Sequence, residues 1–146
     1  MSLFSALSVS ASGMAAQRTR AELLVQNLAN SETTRTAEGG PYKRKDAVFS
    51  SAPQASEFSA FFQSELNQAG TTGVEVSDVV EDTREPDKRY IPGHPDADSE
   101  GYVAFPRINP AEDMVDLVGA ARGYQGNIAA MAAIKDMILR SIDLLK

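Results

Sequence analysis

Cysteine and tryptophan are absent from this 146-residue chain, and it has one histidine, His94. Without thiols there is neither a disulfide framework nor a cysteine metal site. With a lone histidine held between two prolines, no Ser/His/Asp set can be assembled, and no glycine-rich phosphate loop is present. An enzyme is therefore not expected, and no cofactor is called for. Positive charge is also short: fourteen Lys/Arg against twenty Asp/Glu leave a net −6 at neutral pH. No basic surface remains to neutralise phosphates, which argues against a nucleic-acid partner. No apolar run approaches the roughly 18 residues of a membrane span. The opening Met1-Ser2-Leu3-Phe4-Ser5 lacks the basic segment and apolar core of a secretory signal, so export would need another route.

What the chain does have is helical periodicity at both ends. From Asn109 to Lys146, Met114, Leu117, Ala121, Tyr124, Ile128, Met131, Ile138, Ile142 and Leu145 follow steps of three and four, with Lys135 in the one seam position that is not apolar. That is a heptad seam of nearly five repeats, the mark of a long helix built to pair with other helices. Asn109 is a good N-cap, Pro110 suits the first helical position, and Glu112 stands three after the cap as a capping box requires. At about 1.5 Å per residue the rod is roughly 50 Å long, more than a small domain is wide. Residues 3 to 29 repeat the pattern with Phe4, Leu7, Ala11, Met14, Ala21, Val25 and Leu28, Arg18 filling the gap. Asn30 is the expected stop.

Between the helices the charge turns acidic, with four Lys/Arg against eleven Asp/Glu over 51–110. Tyr42 to Phe49 reads as a strand leaving the Gly39-Gly40-Pro41 turn, with Lys43-Arg44-Lys45 forming a solvated edge or an acid-docking patch. Residues 56–66 fit either a helix or a strand. Val74 to Val80 alternates cleanly and is the best strand. A charged turn, Glu81–Arg89, then leads to Tyr90-Ile91, the rigid Pro92-Gly93-His94-Pro95 loop and a last strand, Tyr102 to Phe105. The expected fold is mainly α with a small β-rich insert: a helix over 1–30, a middle region over 31–108 and a helix over 109–146. The helices should pair as a coiled-coil-like antiparallel hairpin.

Such a pair is not self-sufficient. Leu3, Leu24, Val118, Ile134, Leu139 and Leu144 lie off the seam and would stay exposed in a two-helix arrangement. Gly13, Ala15, Ala16, Gly119, Gly123 and Gly126 lower intrinsic helicity but let backbones approach closely. The reading is a marginal monomer completed by neighbouring subunits. Its expected interface is the seams themselves: Phe4, Leu7, Met14, Val25, Leu28, Met114, Leu117, Tyr124, Ile128, Met131, Ile138, Ile142 and Leu145. Asp96, Asp98, Glu100 and Gly101 match four positions of a calcium-binding EF-hand loop, but position 12 is Arg107 where a bidentate Glu is needed. Those carboxylates are better read as closing turns or receiving cations. No metal site is expected.

Gln26-Asn27-Leu28-Ala29-Asn30-Ser31 resembles the N-terminal signature of the axial proteins of the bacterial flagellum, the rod and hook group. Pro92-Gly93-His94-Pro95-Asp96-Ala97-Asp98, Gly101-Tyr102-Val103 and Arg122-Gly123-Tyr124-Gln125-Gly126-Asn127 narrow the resemblance to proximal rod proteins of the FlgC type, over essentially the whole length. The resemblance implies a structural subunit of the basal-body rod, the drive shaft that crosses the periplasm from the membrane-embedded ring toward the hook. It implies type III export without a cleavable signal, with terminal helices lining an inner tube and the β-rich middle facing outward. Implied partners are further copies, other rod proteins, the membrane-embedded ring and the export apparatus, with no direct membrane insertion. Asn27, Asn30, Tyr124, Gln125 and Asn127 become candidates for polar contacts between subunits. Alternatives are a sibling rod or hook-junction protein and a soluble coiled-coil export adaptor, with a metal-dependent hydrolase a remote third.

Overall fold

The computed structural model of the chain describes residues 3–53 and 72–144. Whether 56–66 is helix or strand, and the seam position at Leu145, fall outside those residues. Among the described residues two long helices, α1 (Leu3–Ala29) and α2 (Pro110–Asp143), frame four strands: β1 (Lys45–Pro53), β2 (Thr72–Glu81), β3 (Asp87–Tyr90) and β4 (Tyr102–Phe105). α2 starts where its cap predicts. The Asn109 side chain accepts from the Ala111 amide at N2, with Pro110 in the first turn, so the cap forms without the Glu112 arm of a capping box. α1 ends at Ala29 because the Asn30 side chain bonds the Gln26 carbonyl at 2.9 Å, while Asn30 and Ser31 amides close tight bonds back to Asn27 and Leu28.

The middle forms two separate antiparallel ribbons, β1–β2 and β3–β4. β1 begins at Lys45 and not at Tyr42, because the Tyr42 amide is tied to the Thr33 carbonyl of the loop after α1. Its register with β2 slips at Val48/Phe49, a bulge. Asp87–Arg89, expected as turn, are strand: Arg89 lies over the Phe105 ring and Asp87 faces Arg107, so cross-strand pairing overrides their turn-like composition. The β1–β2 ribbon runs along α1, joined to it by the Val74 amide on Ser12 Oγ at one end and by Asn27 on Lys45 at the other.

The helices face each other with opposed chain directions. Gly13 lies against Asn127, Gly123 against Gln17, and Arg20 reaches Asp116. Here the expected seam is corrected. The buried stripe passes through Ser10, Ala16, Leu24 and Asn27 on α1 and Asp113, Ala120 and Ile134 on α2, with Leu117, Gly123, Asn127, Met131 and Ile138 half-buried. Alternate positions are therefore one residue earlier than periodicity placed them: 113, 120, 127 and 134 in place of 114, 121, 128 and 135. Leu24 and Ile134, expected to stay exposed, are buried, while Phe4, Val25, Met114, Tyr124, Ile128 and Ile142 are exposed. Small residues explain the rotation. A Cβ on Gly13 would come within 3.1 Å of Asn127, and one on Gly123 within 3.2 Å of Gln17, so the backbones approach closest where side chains are least and the large ones are turned aside. The rotation also moves Lys135 and Arg18 off the contact, which is why a cation is tolerated at each.

Candidate assembly interface

The seam residues divide into two sets. Leu7, Met14, Leu28, Leu117, Met131 and Ile138 are half-buried at the helix pair, whereas Phe4, Val25, Met114, Tyr124, Ile128 and Ile142 lie in water. Exposure is 75% at Phe4, 72% at Val115 and 88% at Leu144. Val118 and Leu139 add to the exposed set, as do Val115 and Met137, which the heptad count passed over because they sit off its stripe. Single exposed apolar residues are ordinary on any surface. Their recurrence along the length of α2, from Met114 to Leu144, with Phe4 and Val25 near the two ends of α1, is the feature that distinguishes a contact surface.

The motif residues are placed quite differently. Asn27 is fully buried. Its amide donates to the Lys45 carbonyl at 2.8 Å and its oxygen accepts from the Lys45 amide at 2.9 Å and the Tyr42 hydroxyl at 3.1 Å, so it binds one backbone unit as a neighbouring strand would. Asn30 caps α1 and also accepts from Thr33. Asn127 bonds the Gly123 carbonyl of its own helix, while Tyr124 and Gln125 are exposed.

Lys43-Arg44-Lys45 is not one patch. Lys43 faces solvent and Lys45 approaches Glu81 at 3.5 Å. Arg44 turns inward, its Nη1 donating to Asp113 Oδ1 and its Nε to Asp46. The Asp113 side chain has no solvent exposure, and its second oxygen has no partner within the described residues. Burial pushes its carboxyl above the usual range, against the opposing pull of Arg44. Burial acts to lower the Arg44 guanidinium, but its bonds to Asp46 and Asp113 hold it above its ordinary value.

Pro92, Gly93, His94 and Pro95 form a run of turns with Gly93 at φ +96°. His94 Nδ1 accepts from the Asp96 amide, and Asp96 receives the Thr34 hydroxyl at 2.8 Å and, more loosely, Arg35. Asp98 accepts from the amides of Glu100 and Tyr102, closing the turn into β4. Gly101, at φ +85°, is required there, since a Cβ would lie 2.9 Å from the Tyr90 ring. Asp96 and Asp98 thus have separate jobs. Among the described residues no three His, Asp or Glu side chains are placed to hold a metal ion, and no helix is long and apolar enough to cross a membrane.

Comparison with known proteins agrees with this geometry. Residues 99–144 match the family model described as Flagellar basal body rod FlgEFG protein C-terminal. The whole chain is similar to the flagellar basal-body rod protein FlgC of Bacillus subtilis (strain 168), at 39% identity over 99% of each chain. It is 34% identical to the FlgC protein of Borreliella burgdorferi, over 100% of this chain and 99% of the relative. It is 35% identical to that of Salmonella typhimurium (strain LT2), over 99% and 98%.

Proposed function

We infer how this chain works from its family, for it belongs to the FlgC family of flagellar basal-body rod proteins and is a structural subunit of the flagellar basal body. The proposal is that it stands in the proximal rod and polymerises, with its own copies and with other rod proteins, through the outward faces of α1 and α2. The two helices form a coiled-coil-like hairpin that lines the inner tube through residues 1–30 and 109–146, and the middle, 31–108, faces outward. Assembled, the subunits carry torque from the membrane-embedded ring toward the hook. The chain reaches its site unfolded through the export apparatus at the rod base.

The observation that carries this reading is the row of large apolar side chains left in water along the helix pair, from Phe4 and Val25 to Met114, Val118, Ile128 and Ile142. Covering a large apolar side chain fully contributes about 1.5–3 kcal/mol. A handful per subunit supplies on the order of 10 kcal/mol before the costs of association, enough to make assembly the favoured state. Val118→Asp and Ile128→Asp place a charge on this face where the chain itself makes little use of the side chain. Both variants should keep the thermal midpoint of the free chain within a few degrees and fail to incorporate into rods. Incorporation at the unsubstituted level would rule out these faces as the assembly surface.

A further inference from the structure

We propose that residues 42–45 act as a keystone between the two helices, and that Asn27, Arg44 and Asp113 are positioning residues for rod assembly although Asn27 and the Asp113 side chain are closed to a neighbouring subunit and Arg44 is largely covered. The inference rests on the helix faces being the assembly surface. It concerns what holds those faces at the correct offset.

The helix contact carries little of the interlocking by large side chains that normally makes a wrong offset costly. Its close approaches include Gly13 against the Asn127 side chain and Gly123 against that of Gln17. Ala16 and Ala120 are buried, while Val25, Met114, Val118, Ile128 and Ile142 are exposed. A buried polar residue is the usual remedy, because a shifted partner leaves it unpaired, at a greater cost if it is charged.

The structure holds two such devices on consecutive residues. Asn27, in the last turn of α1, grips both backbone groups of Lys45 and the Tyr42 hydroxyl. Arg44, one residue earlier, pairs with Asp113 in the first turn of α2. The end of α1 is thereby tied to the start of α2 through one short backbone segment. A slide of either helix would separate Arg44 from Asp113 or Asn27 from Lys45. Asn27 and the Asp113 side chain have no solvent exposure, and Arg44 is largely covered. Their effect on assembly must therefore pass through the placement of Val25, Met114 and the other exposed residues.

The test uses the absence of cysteine. A Cβ on Gly13 would lie 3.3 Å from Asn127 Cγ, so Gly13→Cys with Asn127→Cys reports the native offset. Gly13→Cys with Ala120→Cys reports a slide of one heptad, since in the native register Ala120 stands seven residues, about 10 Å, along α2 from the Asn127 that faces Gly13, and a disulfide needs Cα atoms within about 7 Å. In the full-length chain the native pair should cross-link and the slid pair should not. Adding Asn27→Ala, or Arg44→Met together with Asp113→Leu, should lower native cross-linking at least several-fold, raise the slid pair and reduce rod incorporation by a comparable factor. Leu23→Ala serves as the control: assayed at the temperature that gives it the same folded fraction as the keystone variant, it should keep the native cross-link and assemble. If the keystone variants retain the native cross-link, or if their incorporation falls no further than that of the matched control, the positioning role is overturned. Should Asn27→Ala fail to fold, the double replacement by apolar residues carries the test alone. Because cross-linking is read within one chain, its result stands apart from the fate of Val118→Asp and Ile128→Asp.

Discussion

Asp82 and Asp113 each sit beside an arginine, yet their carboxyls shift in opposite directions. Asp82 takes bonds from the Arg84 side chain and backbone, which hold it down at about 2 against an ordinary 3.8. Asp113 is dominated by burial, so its ionised form is disfavoured and its pKa rises. The signs for stability follow. Asp82 stabilises the fold above its ordinary value, and that contribution is lost as pH falls from about 4 toward 2. Asp113 does the reverse: folding disfavours its charge at neutral pH, and that cost is relieved as pH falls through its raised folded value. A carboxyl-carbon NMR titration should place Asp82 near 2 and Asp113 above 3.8, with Arg84→Gln returning Asp82 toward 3.8. An unmoved Asp82 in that variant would show that Arg84 is not the cause. Neither shift was legible in the sequence. Arg84 lies two residues from Asp82 and could have been suggested, but Asp113 meets Arg44 across 69 positions.

At the scale of the element, the helices were legible and their inward faces were not. α1 runs over Leu3–Ala29 as its periodicity requires, and α2 begins behind the Asn109 cap. Heptad counting places large apolar residues inward by default. It is blind to a contact whose closest points are glycine and alanine, and so it put Met114 and Ile128 inside and Leu24 and Ile134 outside. The glycines of α2 test the rotated arrangement. A Cβ on Gly119 or Gly126 would meet nothing within 4 Å, whereas one on Gly123 would crowd Gln17. Alanine favours a helix interior over glycine by about 0.8–1 kcal/mol. Gly119→Ala and Gly126→Ala should each raise the free chain's thermal midpoint by a few degrees, and Gly123→Ala should bring no such gain. Equal gains at all three would place Gly123 outside the contact. Among the strands, Val74–Val80 was read from its alternation and Tyr102–Phe105 as the last strand, while Asp87–Arg89 was hidden by a turn-like composition that only its partner strand overrides.

For the whole molecule, the proposed assembly makes the helices conditional. Their contact is rich in small residues, their large side chains face water, and each β ribbon has two strands, fewer than stand alone in water. Far-ultraviolet circular dichroism of the free chain should therefore show less helix than the 27 and 34 residues of α1 and α2, rising when rods form. A free chain already at full helicity would contradict that coupling. The amino-acid order by itself determined the two terminal helices, their caps, the acidic β-rich middle and the motifs by which the family is recognised, because each is set by local chemistry or short-range period. Only the tertiary structure decided which helix faces meet, that Lys43, Arg44 and Lys45 part in three directions, and that Asn27 is spent inside the chain. Those outcomes depend on how closely two backbones approach and on which distant groups share a buried space, and periodicity along one strand of sequence contains neither.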